Sequence, residues 1–214
     1  MGIDVIIPLG PQDSPPHRLL DLLSEFKPTI SATRPKPPDL PGHFNWVMAP
    51  TGRAQQLNRA IDGTQNDWLW LVHADSSLDP QALGCVEAFC QHAPWSDIAY
   101  GKLRYSQDGP FGVRLNQWGA NLRSHLWHLP YGDQALCIHR RLWQALGGFQ
   151  TGLTRGEDLD FVIRSRAVGA RVRRLPYTIT TSARRYQSRG WLKTTVEHQL
   201  SALKLIRQAK RWRP

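Results

Sequence analysis

Three features are scarce in this sequence of 214 residues: long apolar runs, cysteine, and acidic residues near its end. No stretch of about 18 or more apolar residues is present, so no membrane-spanning helix is predicted. The N-terminal sequence MGIDVIIPLG has no basic segment before its apolar run, which argues against a secretory signal. The three cysteines, Cys85, Cys90 and Cys137, are too few and too scattered for a disulfide framework or a zinc site. They indicate core thiols in a reducing cytoplasm.

The shortage of acidic residues is confined to the last quarter of the chain. Residues 161–214 have 14 Lys and Arg and one acidic residue, Glu197, which is a net charge of +13; residues 1–160 have 13 against 16, a net charge of −3. A basic segment on a nearly neutral body predicts contact with an anionic partner. Nucleic acid, a membrane surface and a phosphorylated substrate all satisfy this criterion.

Strand and helix patterns alternate through the first half of the chain. Predicted strands at 3–9, 44–50 and 67–72 alternate with predicted helices at 15–26, 52–63 and 79–92. Between the first helix and the second strand, residues 31–42 contain four prolines, so a surface loop is predicted there. This alternation predicts a doubly wound α/β sheet.

The second half has a less regular pattern. Helices are predicted at 112–129, 141–149 and 156–169, a strand at 134–140, and one or two strands within 170–186. A basic amphipathic helix is predicted at 191–214. In doubly wound sheets, ligands bind beyond the carboxyl ends of the strands. Asp75 comes three residues after the end of the predicted strand 67–72 and would therefore lie at such a site.

Four acidic residues stand at strand ends or beside glycines: Asp75, Asp133, Glu157 and Asp158. Each has an ordinary structural explanation, as a turn residue, a cap or a partner of the helix macrodipole. Their combination with a basic C-terminal region favours a functional interpretation. Carboxylates can hold a divalent ion, and arginines can hold phosphate.

Five segments, GRAQQLN, LWLVHAD, YGDQALCIHRRLWQALGGF, GEDLDFVIRSRAVG and TTSARRYQSRGW, have the order and spacing found in family-2 glycosyltransferases of the GT-A fold. More narrowly, they resemble a small bacterial subgroup with HAD, GDQ, ED and TSARRW-like motifs, the arsenosugar-biosynthesis-type glycosyltransferases. The resemblance covers most of the chain and implies an α/β fold: a single GT-A (Rossmann-like) domain with a mixed, mostly parallel central sheet flanked by helices. It implies a nucleotide-sugar-binding half (1–112), an acceptor-side half (113–190) and a basic C-terminal helix (191–214).

The resemblance also implies an activity: transfer of a sugar, with inversion, from a nucleotide-sugar donor to an unknown hydroxyl acceptor. HAD takes the place of the family's metal-binding DxD element, so Asp75 and His73 are the expected ligands of Mg²⁺ or Mn²⁺. A buried strand position is the alternative explanation for His73. In the ED pair, Asp158 is the expected catalytic base and Glu157 its supporting contact.

The remaining motifs imply binding roles. GDQ corresponds to the family's acceptor side, so Asp133 and Gln134 are expected to hold the acceptor or the sugar. Arg184 and Arg185 are expected to stabilise the departing diphosphate, with exposed arginines at a strand end as the alternative. The nucleotide-side contacts expected on the second helix are Arg53 and Asn58, for which a solvated helix face is the alternative.

Two segments depart from the family pattern. The family has an Asp-Gly-Gly element after the second strand, where this chain has ISATRPKPPDLPGHF, and the first strand ends IIPLGPQDSPP in place of IIPxxNE. Both form the nucleotide pocket in the family. The alternative function is therefore a GT-A-fold binding protein with a degenerate nucleotide pocket and no transferase activity.

The basic tail has its own alternatives. No nucleic-acid-binding motif accompanies it, so nucleic acid is not an expected partner. An apolar stripe of Leu200, Leu203, Leu205 and Ile206 is compatible with peripheral membrane contact, and core packing explains the same residues. The expected location is the cytoplasm, free or peripheral to the inner membrane.

Overall fold

The computed structural model describes residues 2–108, 110 and 112–183, together with the single positions 195 and 205. In these residues eight strands and six α-helices follow one another in the order β1 (Ile3–Pro8), α1 (His17–Leu22), β2 (Thr29–Ala32), β3 (Asn45–Met48), α2 (Arg53–Asp62), β4 (Trp68–Leu71), β5 (Ser76–Leu78), α3 (Gln81–His92), β6 (Ile98–Tyr105), α4 (Val113–Trp127), β7 (Cys137–His139), α5 (Arg140–Ala145), α6 (Glu157–Ala167) and β8 (Val172–Thr181). Short 3-10 turns occur at Ser24–Phe26 and Gly132–Gln134.

All eight strands belong to one sheet, in the order β3-β2-β1-β4-β7-β6-β8-β5. Strands β1 to β4 pair in parallel, β7 is antiparallel to both β4 and β6, β8 is parallel to β6, and β5 is antiparallel to β8. Only β5 and β7 therefore run against the others among the described strands. The predicted mixed, mostly parallel sheet is confirmed, and we call the side on which the six like-directed strands end the carboxyl edge.

Two hydrophobic cores cover the two faces of the sheet. One contains α1 and α3 residues packed on the sheet, and the other contains residues of α2, α5 and α6. Strand β4 lies between them with all four of its residues buried, which is why its sequence, WLWL, is continuously apolar. In α2 the residues Ala54, Leu57, Ala60 and Ile61 are buried, the spacing of a helix with one apolar face.

The sheet curls because β4 and β5 are joined by a short connection. In a flat sheet, four strand spacings between β4 and β5 would span roughly 19 Å. The chain from Leu71 to Ser76 includes a tight turn in which the Ser76 N–H donates to the His73 carbonyl, 3.1 Å away, so it covers at most about 14 Å. Curling also brings Trp70 of β4 into edge-to-face contact with Tyr177 of β8, with ring centroids 6.3 Å apart.

Three strands are not predicted by the sequence pattern: β2, β5 and β6. Residues 31 and 32, predicted as loop, are the buried end of β2. The remainder of the proline-rich segment is irregular, as predicted, but it is anchored: Leu40 and Phe44 are buried in the core, and the Lys36 ammonium donates to the carbonyls of Pro41 and Phe44.

The predicted C-terminal helix lies outside the described residues, except for positions 195 and 205. Leu205 is buried in the core beside α6, which agrees with the core-packing explanation for that residue. The amide of Asn116 on α4 donates to the Thr195 hydroxyl, 2.8 Å away. Within the described part of the chain, no helix has the length and apolar character needed to cross a membrane.

Candidate functional site

Four separate segments meet at the carboxyl edge, near the middle of the sheet. They are the start of α2, the end of β4, the 3-10 turn Gly132–Gln134 and the start of α6. The turn reaches this edge because β7 is antiparallel: its first residue, Cys137, pairs with Trp70 near the end of β4. The segment before β7 therefore lies where β4 ends. We call the five polar residues brought together there the edge cluster: Arg53, His73, Asp75, Glu157 and Asp158.

Arg53 connects the two halves of the edge cluster. It is the first residue of α2, and its Nε lies 3.2 Å from Glu157 Oε1, an ion pair without an aligned hydrogen bond. Its Nη1 lies 3.4 Å from His73 Nδ1. A guanidinium can only donate, so Nδ1 of His73 is the acceptor of this contact.

Glu157 is a buried carboxylate at the first position of α6. Burial raises its pKa, the neighbouring charge of Asp158 raises it further, and the Arg53 guanidinium opposes both. Three acidic residues occupy the first turn of this helix, where the macrodipole favours negative charge. Arg53 and the helix dipole thus stabilise the buried Glu157 carboxylate next to the second acid, Asp158.

Asp75 is the most open carboxylate of the edge cluster, with 42% of its side chain exposed. Its Oδ1 lies 4.0 Å from His73 Nδ1 and accepts from the hydroxyl of Thr181, the last residue of β8, at 3.4 Å. An exposed carboxylate at a strand end, fixed on two sides, can still offer oxygen atoms to a ligand or a cation.

Asp158 is held against the 3-10 turn by the backbone. Its Oδ2 accepts from the Gly132 N–H, and its Oδ1 accepts from the Leu159 N–H at 2.8 Å. A Cβ at position 132 would lie 2.5 Å from Asp158 Oδ2 and 3.0 Å from His73 Nε2. Only glycine permits this approach, and Gly132 thereby places Asp158 next to the histidine.

Asp133 lies beside the edge cluster and carries an unusual carboxyl group. Its Oδ1 is buried and has no hydrogen-bond partner among the described residues. Burial raises the pKa of Asp133 to about 6; Arg123 and Arg53 lower it, and Asp158 and Asp75 raise it. The carboxyl group is therefore within the electrostatic reach of two of the three acids of the edge cluster, Asp75 and Asp158.

Arg123 is a residue of this region that the sequence reasoning missed. It is buried in α4, its Nε donates to the Leu129 carbonyl at 3.0 Å, and its guanidinium stacks 3.5 Å from the centre of the Tyr131 ring. It is also the strongest opposing charge on Asp133. No sequence signal separates it from the chain's other arginines, because its role depends on contacts between segments. Gly132 and Thr181 were missed for the same reason.

Gln134 and Asn58 are committed to internal contacts. The Gln134 amide is wholly buried: it donates to the Gly101 carbonyl and accepts from Ser124 and from the Tyr131 N–H. Asn58 donates to the Phe149 carbonyl and accepts from the Phe149 N–H and the Trp143 indole. It is roughly 140° around α2 from Arg53. The structure thus places neither amide in the edge cluster.

The predicted diphosphate-binding pair, Arg184 and Arg185, lies outside the described residues. Within the described ranges, no group of three or more His, Cys, Asp or Glu side chains is arranged to hold a metal ion. The residues present fit a cation held jointly by one exposed carboxylate, Asp75, and the phosphates of a ligand, an arrangement that suits Mg²⁺. They do not fit a site built from protein ligands alone.

Neither a protein-family model nor a curated protein sequence matches this chain. Solved structures do match. S. aureus TarS 1-349 in complex with UDP-GlcNAc has a TM-score of 0.62 and 16% identity over 85% of this chain and 59% of its own. The mannosyltransferase PcManGT from Pyrobaculum calidifontis, in complex with GDP-Man and Mn²⁺, has a TM-score of 0.63 and 15% identity over 83% of this chain and 56% of its own. This chain has the GT-A fold.

A third similar structure is glucosyl-3-phosphoglycerate synthase from Mycobacterium tuberculosis in complex with Mn²⁺, UDP and phosphoglyceric acid. Its TM-score is 0.56, with 13% identity over 80% of this chain and 68% of its own. This chain spans about three fifths of the length of the TarS fragment and of PcManGT. The likeness confirms the predicted fold. Because the sequence identities are only 13–16%, the likeness shows the architecture and nothing more.

Proposed function

We propose that this protein is a glycosyltransferase that moves a sugar from a nucleotide-sugar donor to a hydroxyl acceptor, with inversion and with a divalent metal ion. The observation that carries the proposal is the edge cluster itself. A GT-A sheet ends in an exposed carboxylate, a buried carboxylate paired with a partly exposed arginine, and a further acid held by backbone amides, supplied by four segments far apart in sequence. Ligands of such sheets bind at this edge.

The donor assignment has support from the similar structures. The three structures are complexes with UDP-GlcNAc, with GDP-Man and Mn²⁺, and with Mn²⁺, UDP and phosphoglyceric acid. In this chain Asp75 would hold Mg²⁺ or Mn²⁺ together with the donor diphosphate. The bound ion would offset the negative charge of the departing nucleoside diphosphate. Arg184 and Arg185 are proposed to bind the same diphosphate through their guanidinium groups.

The chemical step assigned to the chain's own residues is proton removal. Asp158 takes the proton of the acceptor hydroxyl while that oxygen forms a bond to the anomeric carbon. The bond from this carbon to the diphosphate breaks on the opposite face, which inverts the configuration. The two backbone N–H groups that bind Asp158 fix the carboxylate, and the ion pair of Arg53 with Glu157 keeps the start of α6 against α2.

Asp133 is the proposed contact for the sugar or the acceptor. Its unpartnered, buried Oδ1 can accept a hydrogen bond from a sugar hydroxyl, which would relieve the cost of leaving that oxygen unpaired. Gln134 supports this turn from beneath through its buried amide. Its contribution to the site is therefore the position of Asp133.

The experiment that tests the proposal is calorimetric titration with UDP-, GDP- and dTDP-sugars, with Mn²⁺ present or chelated. We expect one donor class to bind in Mn²⁺ and to bind at least about tenfold more weakly after chelation or in Asp75→Asn, since one carboxylate–cation contact is lost. Asp62→Asn, an exposed acid at the end of α2, is the matched control and should bind as the wild type does. Equal binding by Asp75→Asn and the wild type would refute the metal role of Asp75.

A second candidate function, a GT-A-fold binding protein without transferase activity, is favoured by the ends of β1 and β2. There the Gln56 side chain donates to the Leu9 carbonyl at 2.7 Å and the Ser31 carbonyl at 3.0 Å. The protein's own amide thus occupies backbone acceptors at the edge where the family's nucleotide pocket would be. Failure of every nucleotide sugar to bind in the titration would select this alternative.

A further inference from the structure

Helix α4 turns polar side chains toward the sheet and large apolar side chains toward solvent, which is the reverse of an ordinary amphipathic helix. The face toward the sheet carries Gln117 and Asn121, whose amides bond to the backbone of β6: Gln117 accepts from the Tyr105 N–H at 2.8 Å, and Asn121 accepts from the Leu103 N–H at 3.0 Å and donates to the Leu103 carbonyl at 2.8 Å. These amides take the place of a neighbouring strand, because β6 pairs with β7 only at Ala99. Polar residues of α4 are therefore required on its inner side.

The opposite face of α4 is apolar and open. Leu115, Trp118, Leu122 and Leu126 follow the spacing i, i+3, i+7, i+11 and fall within an arc of about 80°, centred roughly opposite Gln117 and Ser124. Leu115 is 60% exposed, Trp118 64% and Leu126 56%. We call the four residues with this spacing the α4 stripe: Leu115, Trp118, Leu122 and Leu126. Trp127 is exposed beside them, so α4 holds four of the seven large hydrophobic side chains that are exposed among the described residues.

The charge around the α4 stripe is positive. Residues 109–132 contain no acidic residue; of their two arginines, Arg114 is exposed and Arg123 is buried against the Tyr131 ring. Arg114 is exposed on one flank of the stripe, and Arg166 lies at its far end, where its guanidinium donates to the Trp127 carbonyl at 2.6 Å. An apolar stripe with tryptophan at its centre and arginine on its flank has the composition of a helix that lies in a membrane interface.

We propose that the α4 stripe is a membrane-contact surface that binds an anionic lipid bilayer. Trp118 and the leucines enter the boundary between headgroups and acyl chains, and Arg114 meets the lipid phosphates. A second copy of the chain fits less well. Two chains of like charge repel each other, and four side chains expose far less than the roughly 800 Å² per partner that a standard protein interface buries. The proposal is independent of the proposed sugar transfer and differs from membrane contact through the C-terminal helix.

The test is co-sedimentation of the full-length protein with vesicles of equal parts phosphatidylglycerol and phosphatidylcholine, and with vesicles of phosphatidylcholine alone. We expect binding to the anionic vesicles that weakens at high salt, and a bound fraction about tenfold lower for Leu115→Gln/Trp118→Gln, which removes two of the inserting side chains. Trp95→Gln is the matched control: Trp95 is 46% exposed and belongs to the loop between α3 and β6, outside α4. It should bind as the wild type does.

Three outcomes would overturn the proposal. The wild type could fail to sediment with anionic vesicles, or the double variant could sediment as well as the wild type. Alternatively, the wild type could be a dimer that the double variant converts to monomer, with no vesicle binding by either, which would make the stripe an interface between copies. Arg114→Gln serves as the second variant. It leaves the apolar side chains in place and should reduce binding only to the anionic vesicles, by about fivefold.

Discussion

The two wings of the sheet are built differently. In the parallel wing, β1 to β4, each strand pairs along its length with neighbours, and α2 follows directly between β3 and β4. In the mixed wing, β5 to β8, strand pairing is incomplete. The inner edge of β6 is completed by side-chain amides at alternate residues: Gln134 at Gly101, Asn121 at Leu103 and Gln117 at Tyr105.

Buried polar side chains differ between the wings in the same way. Thr29, Ser31 and Gln56 are the buried polar residues of the described chain before β5, whereas the following part contains ten. Arg164, at 2% exposure, is the clearest: it donates to Asp160 and to the carbonyls of Leu146 and Gly148. The comparison teaches that the parallel wing is specified mainly by apolar pattern, and the mixed wing by polar contacts between distant segments.

The largest effect is expected for Asp158→Asn. This variant tests whether donor binding depends on the parallel wing and proton removal on the mixed wing. The substitution keeps an oxygen for the Gly132 N–H but removes the base, so turnover should fall about 10²- to 10⁴-fold. Donor binding in Mn²⁺ should change little, because Asp75 and Arg53 of the parallel wing are intact. Rate assays and donor titration of the same sample measure both. Loss of donor binding equal to the loss of rate would contradict the division, and Asp62→Asn serves as the control for both.

A large loss of stability is expected for Arg164→Met, which tests the dependence of the mixed wing on polar contacts. The substitution leaves the buried carbonyls of Leu146 and Gly148 and the carboxylate of Asp160 without their donor, so the free energy of unfolding should fall by about 3 kcal/mol. Denaturant titration measures it. In Arg59→Met, an exposed arginine on α2 of the parallel wing, the change should stay within about 0.5 kcal/mol. Similar values for the two variants would remove the distinction between the wings.

A smaller effect, dependent on pH, is expected for Asp133→Asn. With its pKa raised to about 6 by burial, the folded protein binds a proton at this carboxyl more tightly than the unfolded chain does. The free energy of unfolding therefore falls as pH rises from about 4 to about 6, and the cost is complete above that range. At pH 8 the variant should be more stable than the wild type by about 1–3 kcal/mol, and at pH 4 by nearly nothing.

Thermal unfolding of both proteins across this pH range measures the difference. The charges facing Asp133 come from several elements, namely Arg123 on α4, Arg53 on α2, Asp158 on α6 and Asp75 after β4. A stability difference that is independent of pH would show that the Asp133 carboxyl is not the source. If Asp133→Asn is more stable than the wild type but binds the sugar or the acceptor more weakly, then Asp133 serves ligand binding at a cost in stability.

Much of the fold can be predicted from the sequence where the signal is local. The run WLWL predicts β4, and GRAQQLNRAIDG predicts α2 to within one residue at each end, since apolar spacing and flanking glycines act over a few residues. Strand β6 is not predictable in this way. Its sequence, IAYGKLRY, has a glycine and two basic residues, and its second half depends on amides of α4.

For the candidate site, the amino-acid sequence by itself determined which acids could matter: Asp75 after its strand, and Glu157 with Asp158 at the start of a helix. Local rules of strand ends and helix termini suffice for that. Only the tertiary structure decided that Arg53 joins Glu157 to His73, that Gly132 binds Asp158, and that Gln134 and Asn58 face inward. The reason is physical: these contacts depend on the reversed direction of β7 and the curl of the sheet, which bring together residues that lie between 10 and 104 positions apart in the linear sequence.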